Sequence, residues 1–248
     1  MTDRDKNISG VFETIRVENG IVQFLDEHLT RLSNSVKALK LNIDIDKKQI
    51  KNDVLQLISS NKLSTSGIRI TVDENISIEA FPLKYTQNDY SNGYKIGILS
   101  EKRVKDRHKY RHKTIENREI NYAAKRMALA QGYNEALWLN NKEEVCEGIF
   151  SNVFIVDSSG TLLTPPSESG LLPGIIRNII LKISPKLGIS AEEKVLKMND
   201  ILNAEEVFLT NSLMLCMPVI ECAGHKIKDA KQSNSATMFN KALISMKI

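Results

Sequence analysis

Residues 146–155, Cys-Glu-Gly-Ile-Phe-Ser-Asn-Val-Phe-Ile, form the stretch that most constrains how this chain can fold. Glu147 and Gly148 have the composition of a turn, and residues 151–156 continue as an apolar run of strand length. A short apolar run that follows turn residues is typical of a strand buried within a sheet. The sequence therefore predicts a buried strand that begins directly after an acidic turn.

Two periodicities alternate along the rest of the chain. Alternating positions rich in β-branched and aromatic residues indicate strands, which we predict at 11–17, 21–24, 67–72, 76–81, 94–99, 135–139, 161–164, 206–209 and 217–220. Apolar residues at helical spacing indicate helices, which we predict at 26–39, 47–60, 115–132, 175–186 and 198–204. This mixture predicts an α+β fold that begins with a small α+β unit.

A polar and basic stretch, residues 102–113, separates the two halves of this pattern. It has no apolar periodicity, which is typical of a connection between domains. We therefore predict a smaller N-terminal α+β domain at residues 1–101 and a larger C-terminal domain at residues 102–248.

The same stretch contains seven lysines or arginines. Such a density permits a nucleic-acid surface, but no nucleic-acid motif accompanies it, and the formal net charge of the chain is only +4. We therefore expect no nucleic-acid partner, and favour the attraction of a carboxylated small-molecule substrate. Arg107 and Arg111 are both candidates for binding that carboxylate.

Composition excludes several other classes of protein. The chain has 248 residues, of which 42% are hydrophobic, so it can bury a sizeable core. Its three cysteines, Cys146, Cys216 and Cys222, show no CxxC pair and no histidine-rich spacing, so we expect reduced thiols and no metal site. No apolar run approaches the roughly eighteen residues of a membrane span. We expect a cytoplasmic protein without a membrane partner.

Three positions have residue types suited to chemistry. Lys113, in an Arg-His-Lys-Thr sequence, lies thirty-four residues before Glu147. A lysine can form a Schiff base with an aldehyde, and an acid can keep a pyridine nitrogen protonated. Pro173-Gly174 precedes a predicted helix, whose first N–H groups favour an anion such as a phosphate.

Several short motifs occur in a recognisable order along nearly the whole chain. They are Phe12-Glu-Thr, His28-Leu-Thr-Arg31, His112-Lys-Thr114, Glu147-Gly-Ile-Phe-Ser-Asn152, Leu172-Pro-Gly-Ile-Ile-Arg177 and Asn211-Ser-Leu-Met-Leu-Cys-Met-Pro-Val219. In this order the chain resembles the fold-type IV pyridoxal-phosphate enzymes, which include branched-chain aminotransferases, D-amino-acid aminotransferases and aminodeoxychorismate lyases. One departure is Asn117-Arg118, where many of the aminotransferases have Asn-Tyr.

The resemblance implies a two-domain α+β enzyme of the D-amino-acid-aminotransferase type, which works as a homodimer with pyridoxal 5'-phosphate in the cleft between its domains. It implies that Lys113 is the Schiff-base lysine and that Glu147 faces the pyridine nitrogen, so that both are catalytic. The phosphate ligands that it implies are Arg31, the amides of Ile175 and Ile176, and the hydroxyl of Ser212.

The motif that contains Ser212 bears on the reaction. Branched-chain and D-amino-acid aminotransferases usually have a threonine and then Glu-x-Thr-Pro there, whereas Asn-Ser-Leu-Met and Met-Pro-Val look more like aminodeoxychorismate lyases. The resemblance thus implies a lyase of the folate pathway, which converts 4-amino-4-deoxychorismate to 4-aminobenzoate and pyruvate. A class IV aminotransferase acting on branched-chain or D-amino acids is the alternative. A cofactor-binding protein without catalysis is disfavoured because Lys113, Glu147 and Arg31 are all present.

Overall fold

The computed structural model describes residues 8–104, 108–227 and 234–246. The chain divides into two compact units. The first lies within Met1–Lys84 and His112–Glu119, and the second lies within Tyr85–Arg111 and Ile120–Met246. The division into domains at residue 101 stays a prediction.

The first unit is an antiparallel sheet with two helices. Its strands are β1 (Val11–Glu18), β2 (Ile21–Val22), β3 (Ser66–Val72) and β4 (Ile76–Phe81), in the order β2-β1-β3-β4, and its long helices are α1 (Leu25–Ala38) and α2 (Lys47–Ser60). Asn19 and Gly20 both have positive φ, 52° and 76°, as a two-residue hairpin turn requires. The core is built from fully buried aliphatic side chains, among them Ile15, Leu29, Leu32, Ile68 and Ile70.

The second unit contains a large mixed sheet. Its elements are α3 (Gln87–Asn92), β5 (Tyr94–Arg103), β6 (Glu135–Asn140), β7 (Val145–Gly148), β8 (Asn152–Val156), β9 (Leu162–Thr164), α5 (Ile175–Ile183), β10 (Ala191–Glu193), α6 (Met198–Leu202), β11 (Glu206–Asn211), β12 (Leu215–Cys222), β13 (His225–Lys226) and α7 (Asn234–Ser245). The strand order is β10-β9-β8-β11-β12-β5-β6-β7, and β13 pairs with β12. Helix α4 (Ile115–Ala130) has residues in both units.

Most of the predicted strands and helices are confirmed to within two residues at each end. The helix predicted at 175–186 ends at Ile183, because Pro185 has no N–H to continue it and a 3-10 turn follows at Ser184–Leu187. The predictions missed α3, β7, β10, β13 and α7. The first four of these are too short to show a hydrophobic period. Helix α7 has twelve residues and was missed despite its length.

The interpretation of residues 102–113 as a connection was wrong at its beginning. Strand β5 continues to Arg103, and Lys102 and Arg103 pair with Leu139 and Asn140 of β6. The alternation of apolar and polar residues did not reveal this end of β5, because its buried residue there is Arg103, which is only 6% exposed, instead of an apolar residue. Arg107 lies outside the described residues.

The sequence also predicts no membrane span and no metal site, and the structure can be searched for both only within its described residues. There, no helix is long and apolar enough to span a bilayer. The same ranges contain no cluster of three histidine, cysteine, aspartate or glutamate side chains that could hold a metal ion. Cys146, Cys216 and Cys222 are buried free cysteines.

Candidate functional site

The backbone around Lys113 is held on β1 of the first unit. Phe12 N–H donates to the carbonyl of Lys113 at 2.9 Å, and Ile115 N–H donates to the carbonyl of Gly10 at 3.0 Å. A Cβ at Gly10 would lie 2.4 Å from the carbonyl oxygen of Val72 and 2.8 Å from the Ile115 side chain. Glycine therefore permits the close approach that places Lys113 beside the sheet.

Helix α4 begins directly after Lys113. Thr114 is buried, and its hydroxyl accepts a hydrogen bond from Asn117 N–H at 3.2 Å, which is the usual N-cap contact. On the other side, His112 Nδ1 lies 3.0 Å from Ser35 Oγ of α1. Both sequence neighbours of Lys113 are therefore anchored by hydrogen bonds, and this fixes the backbone position from which its side chain extends.

The Lys113 side chain has a hydroxyl and an aromatic ring as partners. Its Nζ donates to Thr14 Oγ1 at 2.7 Å and lies 4.9 Å from the centre of the Phe12 ring. The Arg118 guanidinium lies 5.1 Å from the same ring. We call these four residues, Phe12, Thr14, Lys113 and Arg118, the lysine cluster.

Arg31 belongs to a buried polar group that is formed by side chains of β1 and α1. Its Nε and Nη2 each donate to one oxygen of Glu13 at 2.7 Å, and His28 Nδ1 lies 2.7 Å from Glu13 Oε2. Burial tends to raise the pKa of Glu13, but the charges of Arg31 and His28 outweigh it and hold that pKa far below its ordinary value. Burial lowers the pKa of His28, against the opposing effect of Glu13. An ionised Glu13 therefore orients Arg31.

Replacement of Glu13 by glutamine should destabilise the protein by about 3 kcal/mol at neutral pH, because it leaves the Arg31 charge without its carboxylate. The pKa of Glu13 is lowered in the folded state, so its contribution is present above the unfolded-state pKa of about 4.5 and is lost as pH falls. Urea unfolding of both proteins at pH 7 and pH 4 measures this. The difference between them should shrink on acidification; a difference that is the same at both pH values would contradict the ionised state of Glu13.

Glu147 lies at the edge of the second unit's sheet, on β7, and is 7% exposed. It forms an ion pair with Arg103. Asn152 Nδ2 and Leu172 N–H each donate to Glu147 Oε2 at 3.1 Å. Burial raises the pKa of Glu147, and the Arg103 charge together with the N–H donors opposes this rise. Arg103 and the N–H donors therefore favour the ionised carboxylate, but burial outweighs them, and the pKa of Glu147 lies above its ordinary value.

Arg103 is itself held firmly. It donates to the carbonyl of Gly170 at 2.9 Å, and its guanidinium lies 4.8 Å from the ring centre of Tyr110 and 5.0 Å from that of Trp138. Sequence reasoning missed this residue. The available signal was the continuation of strand β5 into the basic stretch, where one arginine falls on the buried face.

Asn152 links Glu147 to the beginning of α5. Its side chain also donates to the carbonyl of Leu172 at 2.9 Å, and a Cβ at Gly174 would lie 2.0 Å from Asn152 Oδ1. Gly174 is the N-cap of α5, and no side chain makes a capping hydrogen bond to the helix start at Ile175 and Ile176. The structure thus brings Glu147 together with the helix start that the sequence marked as an anion site.

Ser212 lies in the turn between β11 and β12 and is partly buried. Asn211 Oδ1 accepts from Leu213 N–H at 2.9 Å and from Met214 N–H at 2.8 Å, and Leu215 has a φ of 57°, which is unusual for a leucine. Asn211 Nδ2 also donates to the carbonyl of Phe150 at 3.1 Å. Side-chain hydrogen bonds therefore hold this turn in a strained conformation.

Of the two arginines predicted as candidates for binding a substrate carboxylate, the structure describes only Arg111. Arg111 is 39% exposed and lies 3.8 Å from Glu168, an exposed pair of little energetic weight. Arg107 lies outside the described residues. Arg111 therefore stays a prediction, and none of its contacts with the described residues favours it.

A family model for class IV amino-transferases matches residues 10–222 of this chain. The chain belongs to the class IV aminotransferase family. It is 30% identical over 244 residues to a Methanocaldococcus jannaschii protein provisionally named a branched-chain-amino-acid aminotransferase, with coverage of 89% of this chain and 81% of that protein. It is 26% identical over 243 residues to the aminodeoxychorismate lyase of Bacillus subtilis, with coverage of 92% and 82%.

A solved structure from Legionella pneumophila, provisionally named a 4-amino-4-deoxychorismate lyase, superposes on this class IV enzyme with a TM-score of 0.86 and 25% identity. The match covers 95% of this chain and 90% of that one. The predicted family and α+β fold are therefore confirmed, and the protein is an enzyme. The names of its relatives include both aminotransferases and lyases.

Enzymes of class IV use pyridoxal phosphate. The residues present fit this group in their chemistry. Lys113 can hold an aldehyde, the buried Glu147 can pair with a pyridinium N–H, and the α5 N-terminus has no side-chain cap. A side chain at Gly174 would crowd Asn152, and glycine keeps that approach open.

Proposed function

We propose that this class IV enzyme is a lyase that converts 4-amino-4-deoxychorismate to 4-aminobenzoate and pyruvate. The alternative is an aminotransferase acting on branched-chain or D-amino acids. The cofactor in either case is pyridoxal 5'-phosphate, and a homodimer is the expected working form.

In this proposal Lys113 holds the cofactor's aldehyde and Glu147 pairs with its ring nitrogen. Arg31, the amides of Ile175 and Ile176, and the hydroxyl of Ser212 hold its phosphate. When bound, the cofactor supplies an electrophilic aldehyde and an electron-withdrawing ring, which together acidify the carbon beside the substrate's nitrogen.

The hydrogen bond between Lys113 Nζ and Thr14 Oγ1, 2.7 Å long, is the observation that favours the lyase. Elimination takes a proton from one ring carbon and must return a proton to the departing enolpyruvate, so two proton-handling groups assist it. Transamination moves one proton between two carbons, and a single lysine can do this. A hydroxyl that accepts a hydrogen bond from the lysine can relay a proton, because it gives its own proton to the leaving group as it takes one from the lysine.

Other residues of this chain prepare the two polar groups for their task. The cation–π contact of Lys113 with Phe12 and its hydrogen bond to Thr14 orient the amine. Arg103 balances the charge of Glu147 in its buried position, and a carboxylate that stays ionised can accept the N–H of a pyridinium.

A paired assay on the cofactor-loaded protein tests the proposal. Release of 4-aminobenzoate and pyruvate together from enzymatically generated aminodeoxychorismate is the expected result. Conversion of the bound cofactor to its pyridoxamine form by L- or D-amino acids, without 4-aminobenzoate release, would instead identify an aminotransferase and its amino donor.

Removal of the Thr14 hydroxyl tests the proton-handling role. We expect Thr14→Val to lower the rate of 4-aminobenzoate formation about 100-fold, because one proton carrier is lost while the volume of the side chain is kept. Thr14→Ser retains the hydroxyl and should retain most of the rate. Steady-state kinetics, with cofactor absorbance as the check on loading, measure both variants. A Thr14→Val rate equal to that of the unmodified protein would remove the main support for the lyase.

A further inference from the structure

Arg118 lies in the first turn of α4 within the lysine cluster. Its guanidinium carbon is 5.1 Å from the centre of the Phe12 ring, and Lys113 Nζ is 4.9 Å from the same centre. The Arg118 side chain is 22% exposed. The Phe12 ring is therefore contacted both by the Arg118 guanidinium and by the amine that we propose as the reactive group.

Arg118 differs from the other enclosed arginines in its hydrogen bonds. Arg16, Arg31, Arg69, Arg103 and Arg177 each donate a side-chain hydrogen bond to a glutamate within the described part of the chain. For Arg118, the nearest described carboxylate is Glu119, whose Oε1 lies 3.5 Å from Nε on a side chain that is 66% exposed. Nε of Arg118 is buried, and no hydrogen-bond acceptor is found for it among the described residues.

A guanidinium has five N–H donors in a planar fork, and a carboxylate is the acceptor that matches it best. Removing a guanidinium from water without a matching acceptor costs free energy. A ligand that supplies the acceptor to a partly buried guanidinium recovers this cost, which favours binding. Each of the other enclosed arginines has a glutamate as an internal hydrogen-bond partner, although Nε of Arg69 and Nε of Arg177 also have no acceptor among the described residues. The Arg118 fork is the member of this set that remains suited to an external carboxylate.

We propose that Arg118 determines specificity by binding the ring carboxylate of the substrate, the group that 4-aminobenzoate retains. This inference rests on the proposed lyase function. Amine and carboxylate at opposite ends of a six-membered ring are several ångströms apart, so the amine can react at Lys113 while the carboxylate faces the second cation at the Phe12 ring, Arg118.

Ligand pairs that differ only in the carboxylate test this role. We would measure the binding of 4-aminobenzoate and of the neutral 4-aminobenzamide to cofactor-loaded protein by calorimetry. The unmodified protein should bind the acid about 10- to 100-fold more tightly than the amide, as expected for hydrogen bonds to a charged group. In Arg118→Gln the acid should lose this advantage while affinity for the amide stays within about twofold. Arg118→Lys should recover part of it, because the charge remains but the fork is lost.

Arg126→Gln is the matched control, since it removes the same charge from an exposed position on the same helix. It should leave the preference for the acid intact. An equal loss for both ligands in Arg118→Gln, or the same preference in Arg118→Gln as in the unmodified protein, would overturn the proposal. The first of these outcomes would indicate a purely structural role.

The kinetics separate failure of this inference from failure of the lyase function. With aminodeoxychorismate as substrate, Arg118→Gln should raise KM at least tenfold with a smaller change in kcat. If the unmodified protein releases 4-aminobenzoate but Arg118→Gln has an unchanged KM, Arg118 does not bind the ring carboxylate and the lyase function stands. If the unmodified protein releases no 4-aminobenzoate, the lyase function and the assigned substrate carboxylate both fail.

Discussion

Lys113→Ala is expected to lower turnover by at least about 10,000-fold, because in the proposed function Lys113 is both the covalent anchor of the cofactor and the base that removes the substrate proton. Sodium borohydride reduction of the cofactor-loaded protein, followed by proteolysis and mass spectrometry, tests the anchor directly. The peptide that contains Lys113 should carry the cofactor's mass in the unmodified protein. The alanine variant should carry none.

Lys37→Ala serves as the control, because Lys37 is an exposed lysine of α1 in the same unit. Its label and its rate should match those of the unmodified protein. A label on a different lysine, or substantial turnover by Lys113→Ala, would show that Lys113 is not the anchor. Circular dichroism distinguishes loss of function from loss of fold in the alanine variant.

Glu147→Gln should retain the cofactor but lose about 100- to 1,000-fold in turnover, since a neutral amide cannot hold the ring nitrogen in its protonated form. The change also leaves the Arg103 charge without its buried partner. We therefore expect a loss of about 3 kcal/mol in the free energy of unfolding. Single-turnover kinetics and urea unfolding measure the two effects separately.

Glu143→Gln is a suitable comparison, because Glu143 is an exposed glutamate close to Glu147 in sequence and its surface pair with Lys102 contributes little. Rate and stability of that variant should stay near those of the unmodified protein. If Glu147→Gln turned over at the normal rate, Glu147 would not be the partner of the ring nitrogen, even if the variant were less stable.

Local sequence signals predicted the elements that depend on neighbouring residues. Helix α2 was predicted at its observed bounds, and Asp46 at its N-cap accepts from the amides of Lys48 and Gln49, as the local chemistry requires. The Asn19-Gly20 turn was predictable for the same reason. Strand β7 was missed because only four residues, Val145–Gly148, form it, and their polar members gave no alternation.

The candidate site was predicted residue by residue, but not the contacts that explain it. The motifs marked Lys113, Glu147 and Arg31 as candidates, and the roles of all three stay predictions. No pattern indicated that Glu13 holds Arg31 or that Arg103 holds Glu147. A charged residue that is buried beside its counter-charge looks the same in sequence as a solvated one.

The sequence by itself indicated most of the strands and helices in their order, the resemblance to the class IV family, and Lys113, Glu147 and Arg31 as candidate side chains. Only the tertiary structure decided which of those side chains meet. Thr14 and Lys113 are 99 positions apart, and Arg103 and Glu147 are 44 apart, yet each pair is in direct contact. Such contacts depend on strand pairing, register and packing between distant segments, whereas helical and strand periodicity report only on residues a few positions away.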